Sequence, residues 1–249
     1  MPEPQTLLLK TNLKHLRLPT MGAEFAKLAR EAAAANEGYE QYLLRLTELE
    51  VAARSANAIK ARIKQAGFPV LKDLDTYDFS LLPGLNKPKI LELARGEWID
   101  QHFNCCLIGN AGTGKTHLAT ALGIEACKRD FKVAFWRTAA LVNHLTQLND
   151  GGELHGFLKT IEKLDLLICD EWGYVPVSRD GAQLLFQVVS ACYEKRSMLI
   201  TTNLEFDRRV NIFLDQTMTT ALIDRLVHHS HLLIFDGESH RVKNSLMRQ

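Results

Sequence analysis

The spacing of apolar residues changes character near residue 100. Over residues 5–66, apolar side chains recur three or four positions apart, which is the period of an amphipathic helix. From residue 104 onward, short and nearly continuous apolar runs alternate with helical patterns. Such runs are typical of parallel strands, because helices cover both faces of a parallel sheet. The pattern therefore predicts three or four N-terminal helices followed by a parallel α/β domain.

The alternation of apolar runs and helical patterns from residue 104 onward predicts a five-stranded sheet. The predicted strands are residues 104–109, 132–136, 164–170, 197–203 and 231–235. The predicted helices begin at 115 and lie near 139–148, 180–195 and 219–227. Prolines punctuate the stretch between the two patterns, which is predicted to be a connector with one short helix at 88–95. The predicted domains are a helical domain at 1–66, the connector at 67–97 and the α/β domain at 98–249.

Composition and charge limit the class of protein and its expected location in the cell. The chain has 249 residues, of which 46% are hydrophobic and 24% charged, so disorder as the main state is excluded. The net charge of +1 gives no sign of an overall basic coat for nucleic acid, although a local basic surface stays open. No apolar run is long enough to span a membrane, and the N-terminal leucines are too few for a signal peptide, so we expect a cytoplasmic protein. The five cysteines form no C-x-x-C pair and are predicted to be buried core residues.

The residues after the first predicted strand match G-x-x-x-x-G-K-[ST] in full. Glycines let such a loop wrap closely around phosphates with its N–H groups turned inward. The helix that follows directs the positive end of its dipole to the same place. Lys115 can reach the β- and γ-phosphates of ATP, and the Thr116 hydroxyl is placed to ligate Mg²⁺. The predicted nucleotide-binding residues of the loop are Gly109, Asn110, Ala111, Gly112, Thr113, Gly114, Lys115 and Thr116.

Two adjacent carboxylates, Asp170 and Glu171, come at the end of the third predicted strand. The C-terminal ends of parallel strands meet at one edge of a sheet, so both should lie near the phosphate loop. Asp170 is predicted to bind the nucleotide with its Mg²⁺, together with Thr116. Glu171 is placed to polarise an attacking water, which favours hydrolysis over phosphate transfer to a small acceptor.

Two further residues are predicted to be catalytic. Asn203 ends the fourth predicted strand at the same edge, so its amide is predicted to bind the γ-phosphate or the attacking water. Arg225 lies on the predicted helix at 219–227, and its spacing leaves two interpretations open. It is either a solvated surface charge or a group that reaches a neighbouring subunit's site and stabilises the transferred phosphoryl.

A basic stretch without Asp or Glu extends over residues 51–72. Such a stretch can follow DNA phosphates and bind without sequence preference, and its alternative is a solvated helix face. The residues predicted to contact DNA are Arg54, Lys60, Arg62 and Lys64. The histidines at 228, 229 and 231 have no carboxylate or cysteine partners at ligand spacing, so they predict no metal site.

The strings GKTHLATALG, LLICDEWGY, LITTN, ALIDRLVHHS and GESHR together resemble IstB. IstB is the ATPase helper of insertion-sequence transposition and is similar to DnaC-type helicase loaders of the AAA+ class. The resemblance runs from about Phe79 to Arg241, and GKTHLA, DRLVHH and GESHR are not general features of phosphate loops. The family more often has Leu, Ser and Tyr where this chain has Trp172, Thr202 and His240. None of these departures removes a phosphate or metal contact.

The resemblance implies more than the residues do. AAA+ relatives assemble as rings or spirals with nucleotide between subunits, and Arg225 matches the arginine that acts from a neighbouring subunit. Arg241 would lie near the nucleotide or near the subunit contact. The helix at 139–148 would serve DNA contact or assembly. Relatives of this kind bind duplex DNA without sequence preference, deform it and present the site to a partner transposase, here an IstA-like one.

The combined prediction is an AAA+ ATPase of the bacterial cytoplasm that uses ATP and Mg²⁺. It would oligomerise on duplex DNA and present target sites for transposition, with hydrolysis regulating the assembly. A DnaC-like replicative helicase loader would have almost the same ATPase core and would differ in its N-terminal partner. A small-molecule kinase with the same loop would not need Asp170, Glu171 and Asn203. A nucleotide-gated DNA scaffold would show negligible turnover.

Overall fold

The computed structural model describes residues 4–82, 84–173, 178–203 and 216–237. Its contacts divide the chain into two compact units, residues 1–61 and 62–249. The division falls within one long helix, and the predicted domain boundaries after residues 66 and 97 stay a prediction. No helix in the described ranges is long and apolar enough to cross a membrane.

The first unit consists of helices, as the apolar period predicts. They are α1 (Pro4–His15), α2 (Pro19–Ala35) and the part of α3 (Tyr39–Ala66) up to residue 61. Proline at the first position suits the start of α2, because the first N–H groups of a helix have no partner within it. The unit has a small core that consists of Leu13, Met21, Leu28 and Leu46.

A buried carboxylate caps α2 from a distance of thirty residues. Glu50 on α3 is 3% exposed and accepts the N–H groups of Thr20 (2.8 Å) and Met21 (3.0 Å). It also accepts a hydrogen bond from the Arg54 guanidinium at 2.9 Å. Burial raises the pKa of Glu50, but the hydrogen bonds from Met21, Arg54 and Thr20 outweigh it and hold the pKa below its ordinary value. The ionised carboxylate therefore stabilises the start of α2.

We expect Glu50→Ala to lower the melting temperature of the full chain, because two N–H groups of α2 lose their acceptor. A lowered pKa means that this stabilisation is complete above the ordinary glutamate value of 4.5 and is lost as pH falls through the folded-state pKa. Circular dichroism melts at pH 7 and at a series of pH values below 4.5 test both points. The control is Glu48→Ala, since Glu48 is exposed on the same helix. Equal melting of the two variants at pH 7 would contradict the capping role.

The second unit contains the predicted five-stranded parallel sheet, which is confirmed. Its strands are β1 (Asn104–Gly109), β2 (Val133–Arg137), β3 (Leu166–Asp170), β4 (Ser197–Thr202) and β5 (Ser230–Phe235). They lie in the order β2-β3-β4-β1-β5, and all four neighbouring pairs are parallel. The ends of β1, β3 and β4 therefore meet at one edge of the sheet.

Helices cover both faces of this sheet. After α3 and a 3₁₀ helix (Phe79–Leu81), the further helices of the described ranges are α4 (Lys87–Leu93), α5 (Glu97–Asp100), α6 (Lys115–Lys128), α7 (Thr138–Asp150), α8 (Leu154–Ile161), α9 (Arg179–Cys192) and α10 (Gln216–Val227). One core cluster joins β1, β3 and β4 to α6 and to residues 77–99, and a second joins β3 and β4 to α7, α9 and α10. All five cysteines are buried, as predicted.

The structure adds elements that the apolar pattern did not assign. Helix α8 has only eight residues and follows the Gly151–Gly152 pair, so its apolar period is too short to stand out. Residues 79–81 and 97–100 also form short helices. Within the stretch predicted to be a connector, buried side chains such as Ile90 and Leu93 pack into the first cluster. Pro88 lies in the first turn of α4, where a proline suits the start of a helix, so this proline resembles linker punctuation in sequence although the chain around it is packed.

Candidate active site

A cavity of about 500 Å³ opens at the edge where the strands end. The phosphate loop forms one side of it, and the ends of β2, β3 and β4 form another. Residues from three separately predicted motifs line this one cavity, namely Lys115 and Thr116 of the loop, Glu171 and Asn203. The predicted residues come together because the parallel strands end at one edge of the sheet. Their roles stay predictions.

The backbone of the phosphate loop requires its glycines. Gly109 has a φ of +149°, and a Cβ there would lie 2.2 Å from the carbonyl oxygen of Phe235 on β5. Gly114 has a φ of +90° and forms the N-terminal cap of α6. The Thr113 hydroxyl closes the loop on itself by donating to the Asn110 carbonyl at 2.8 Å. A larger residue at Gly109 would push the loop away from β5.

The ammonium group of Lys115 lies inside the loop. Its Nζ donates to the carbonyl oxygens of Gly109 (2.7 Å) and Asn110 (2.6 Å), and the residue is 9% exposed. The positive charge therefore lies at the N-terminus of α6, where the helix dipole also favours an anion. A phosphate group in the cavity would lie close to the Lys115 ammonium group and to the N-terminus of α6.

Asp170 and Thr116 are in direct contact. The Thr116 hydroxyl lies 2.9 Å and 3.1 Å from the two carboxylate oxygens, and Asp170 is 1% exposed. A hydroxyl beside a carboxylate is the oxygen donor set that Mg²⁺ prefers when phosphates supply further ligands. In the described part of the chain, no cluster of three or more His, Cys, Asp or Glu could hold a metal ion by itself. The residues present thus fit a Mg²⁺ ion that arrives with a nucleotide.

Glu171 follows Asp170 in a left-handed turn with a φ of +60°. The residue is exposed and lines the cavity, and its N–H donates to the Thr201 hydroxyl at 2.9 Å. Thr138, just after β2, donates its hydroxyl to the Asp170 carbonyl at 2.8 Å. Neighbouring strands on both sides therefore hold the end of β3 in place.

Sequence reasoning missed two residues at this edge. Thr201 lies on β4 and binds Asp170, and its only signal was a polar residue near the end of a predicted apolar strand. Arg137 lines the cavity at the end of β2. The strand-end argument used for Asp170 and Asn203 applies equally to Arg137 and could have found it.

A further wall of the cavity comes from residues 69–82, within the stretch predicted to be a connector. Its central ring is that of Tyr77, which meets the ring of His117 edge-on at 5.0 Å and that of Phe79 at 4.9 Å. Burial raises the pKa of Tyr77 to about 12. His117 lies 3.2 Å from the Asp73 carbonyl, and burial lowers its pKa. This wall stands next to the phosphate loop and combines apolar side chains with the polar residues Lys72, Thr76 and Asp78.

Arg225 does not line the cavity of its own chain in the described residues. Its Nη1 lies 2.5 Å from the Ser190 hydroxyl, and its guanidinium stands 4.5 Å from the ring centre of Phe186 and 5.7 Å from that of Tyr193. The structure thus separates it from Glu171 and Asn203 and holds it against α9. Arg241 and His240 lie outside the described residues.

The four residues predicted to contact DNA lie on α3. Arg54 binds Glu50 and the carbonyl of Arg17, and Arg62 binds the Cys127 carbonyl and pairs with Asp130. Lys60 and Lys64 are exposed. The two arginines therefore have intramolecular partners, and their contact with DNA stays a prediction.

Comparison with known proteins gives one family. The model of the family described as IstB-like ATP binding protein matches residues 11–248. An insertion sequence IS5376 putative ATP-binding protein of Geobacillus stearothermophilus is 35% identical over 94% of this chain and 93% of its own length. An insertion sequence IS232 putative ATP-binding protein of Bacillus thuringiensis subsp. berliner is 33% identical over 97% of this chain and 96% of its own length.

Solved structures are similar in fold. The DnaC helicase loader covers 66% of this chain and 96% of its own, with a TM-score of 0.52 and 23% identity. AMPPCP-bound DnaA from Aquifex aeolicus covers 71% of this chain and 54% of its own, with a TM-score of 0.57 and 18% identity. At these identities the likeness shows the AAA+ type of α/β fold and nothing finer.

Proposed function

This chain belongs to the family of IstB-like ATP binding proteins, and from that premise we propose that it binds ATP in the cavity and hydrolyses it. One observation carries the proposal. The phosphate loop, Thr116 with its contact to Asp170, and Glu171 come together at a single cavity, which Thr116 and Glu171 line. A site for binding alone would not need a second carboxylate beside the first.

Each wall of the cavity has a part in holding ATP. The loop N–H groups and the start of α6 bind the phosphates, and Lys115 adds a full positive charge. The wall around Tyr77 and His117 accepts the base by apolar contact. Binding thus fixes the γ-phosphate near the ends of β3 and β4.

Hydrolysis then depends on the polar strand ends. A Mg²⁺ ion held by Thr116 and Asp170 would offset the charge that develops on the phosphates. Glu171 accepts a proton from the attacking water, and the Asn203 amide donates a hydrogen bond to a phosphate oxygen or orients that water. Arg225 supplies a positive charge from a neighbouring subunit to the transition state.

The wider role that we propose is that of a transposition helper. The relatives at 33% and 35% identity are named as insertion-sequence proteins, and they match this chain over nearly its whole length. Assembly on duplex DNA, with nucleotide at the subunit interfaces, would prepare a target site for an IstA-like transposase. We propose that Lys60 and Lys64, which are exposed on α3, contact the DNA phosphates. The likeness to a helicase loader concerns the fold, so we favour transposition.

Phosphate release by the full chain, measured with ATP, Mg²⁺ and duplex DNA, tests the proposed activity. We expect turnover by the unaltered chain and none above background for Lys115→Ala, because the loop loses its only full positive charge. The control is Lys128→Ala, which removes a cation from the far end of α6, where Lys128 pairs with Glu125. Absence of phosphate release by the unaltered chain under all these conditions would contradict the ATPase proposal.

A further inference from the structure

One side chain of β4 binds both carboxylate-bearing residues of the site. The Thr201 hydroxyl lies 2.5 Å from Asp170 Oδ1, to which it donates, and it accepts the N–H of Glu171 at 2.9 Å. The carbonyl of Thr201 also accepts the N–H of Trp172 at 2.8 Å. Three consecutive residues at the end of β3 are thus bound to a single residue of the next strand.

These bonds lie where the two strands stop pairing. The described ladder between β3 and β4 ends at the pair Cys169–Ile200, one residue before Asp170. Beyond it the chain turns through Glu171, whose φ of +60° is a conformation that a residue with a side chain keeps only when its surroundings enforce it. The contacts with Thr201 hold this turn after the ladder has ended.

Packing alone does not explain a hydroxyl at this position. Thr201 is 2% exposed and lies in a strand whose described residues are all buried. Valine has the same branched shape and an equal preference for strands. A buried hydroxyl destabilises a protein unless its hydrogen bonds are made, and here its partners are the Asp170 carboxylate and the Glu171 N–H.

We propose that Thr201 is a positioning residue for ATP hydrolysis, an inference that rests on the proposed ATPase function. Its donated hydrogen bond fixes the Asp170 carboxylate in the orientation that also meets the Thr116 hydroxyl. Its accepted hydrogen bond fixes the turn that brings Glu171 to the cavity. The hydroxyl therefore fixes the distance between Asp170, which is suited to hold the metal, and Glu171, which is suited to activate the water.

Two substitutions separate the hydroxyl from the shape of the side chain. Thr201→Val keeps the shape and removes the hydroxyl, whereas Thr201→Ser keeps the hydroxyl. We expect kcat of Thr201→Val to fall about 10- to 100-fold, because a catalytic group is displaced while the phosphate loop is intact. Thr201→Ser should stay close to the unaltered chain.

A binding measurement gives a second readout that does not depend on turnover. The affinity for a fluorescent, non-hydrolysable ATP analogue is measured with and without Mg²⁺. We expect Thr201→Val to bind the analogue normally without Mg²⁺ and to gain less affinity when Mg²⁺ is added. The control is Ser197→Ala, which removes a buried hydroxyl from the opposite end of β4, where it lies 3.4 Å from the carbonyls of Trp98 and Ile99.

Normal kcat and a normal Mg²⁺ response for Thr201→Val would overturn the inference, as would a Thr201→Ser variant as slow as Thr201→Val. If Thr201→Val melts far below the unaltered chain, Thr201→Cys replaces it, because a thiol is a weak donor of similar volume. Its kcat should then lie below that of Thr201→Ser, and equality would overturn the inference. Failure of the ATPase proposal can be distinguished from failure of this inference, because the unaltered chain would then release no phosphate.

Discussion

Replacement of Glu171 by glutamine is expected to lower the rate of ATP hydrolysis by about 10²- to 10⁴-fold while ATP still binds. The amide has nearly the same size as the carboxylate but cannot accept a proton from water. The N–H of Glu171 that bonds to Thr201 belongs to the backbone, so the substitution leaves the turn in place. The phosphate loop is also unchanged, so the nucleotide should remain bound and any assembly that depends on it should persist.

Phosphate release and nucleotide affinity, measured on the same preparation, test this expectation. The control is Glu162→Gln, the same change at an exposed residue after α8 and away from the cavity. We expect the control to hydrolyse ATP at the rate of the unaltered chain. Normal hydrolysis by Glu171→Gln would show that another group activates the water, and a loss of binding would show that the substitution disturbs the phosphate loop.

Replacement of Arg225 by alanine is expected to lower turnover by about 10³- to 10⁵-fold, the range for an arginine that stabilises a transferred phosphoryl group. The structure holds this guanidinium against Ser190 and the ring of Phe186, apart from its own chain's cavity. If Arg225 acts at all, it must act on the site of another subunit. The effect should then appear in the rate, with the affinity of the single chain for ATP unchanged.

A mixing experiment tests this action across subunits. Arg225→Ala and Lys115→Ala should each be inactive alone, because one lacks the arginine and the other lacks nucleotide binding. In a mixed assembly, the intact loop of an Arg225→Ala subunit can face the intact Arg225 of a Lys115→Ala subunit, so activity should return in part. Arg95→Ala serves as a control, since Arg95 is exposed and does not line the cavity. No recovery in a mixture that still assembles would contradict the proposed role.

Local patterns predicted the parts of the site that depend on neighbours in sequence. The phosphate loop is one contiguous motif, and its glycines are required by backbone geometry, as the 2.2 Å approach at Gly109 illustrates. Asp170 and Asn203 could be predicted because parallel strands end at a common edge. The strands were predicted for a different reason, since a strand buried on both faces, as β3 and β4 are, has a continuous apolar run.

Contacts that depend on strand order could not be predicted in this way. Thr201 binds Asp170 because β3 and β4 are neighbours in the sheet, and a threonine among the polar residues at a strand end carries no sign of its partner. The wall around Tyr77 forms because residues 69–82 return to the phosphate loop, whereas their prolines predicted a connector. Arg225 had two interpretations in sequence, and its separation from its own cavity leaves action on a neighbour as the role to test.

Assembly size is the most direct test of the central claim that ATP closes an interface between subunits on DNA. Light scattering of Glu171→Gln is measured with ATP, Mg²⁺ and a random-sequence duplex long enough for several subunits, and again with each component omitted. We predict a large assembly that needs both ATP and duplex and that fails to form when Lys115 is also replaced. A particle of single-chain mass under every condition would contradict the interface mechanism and leave the cavity as a site that acts within one chain.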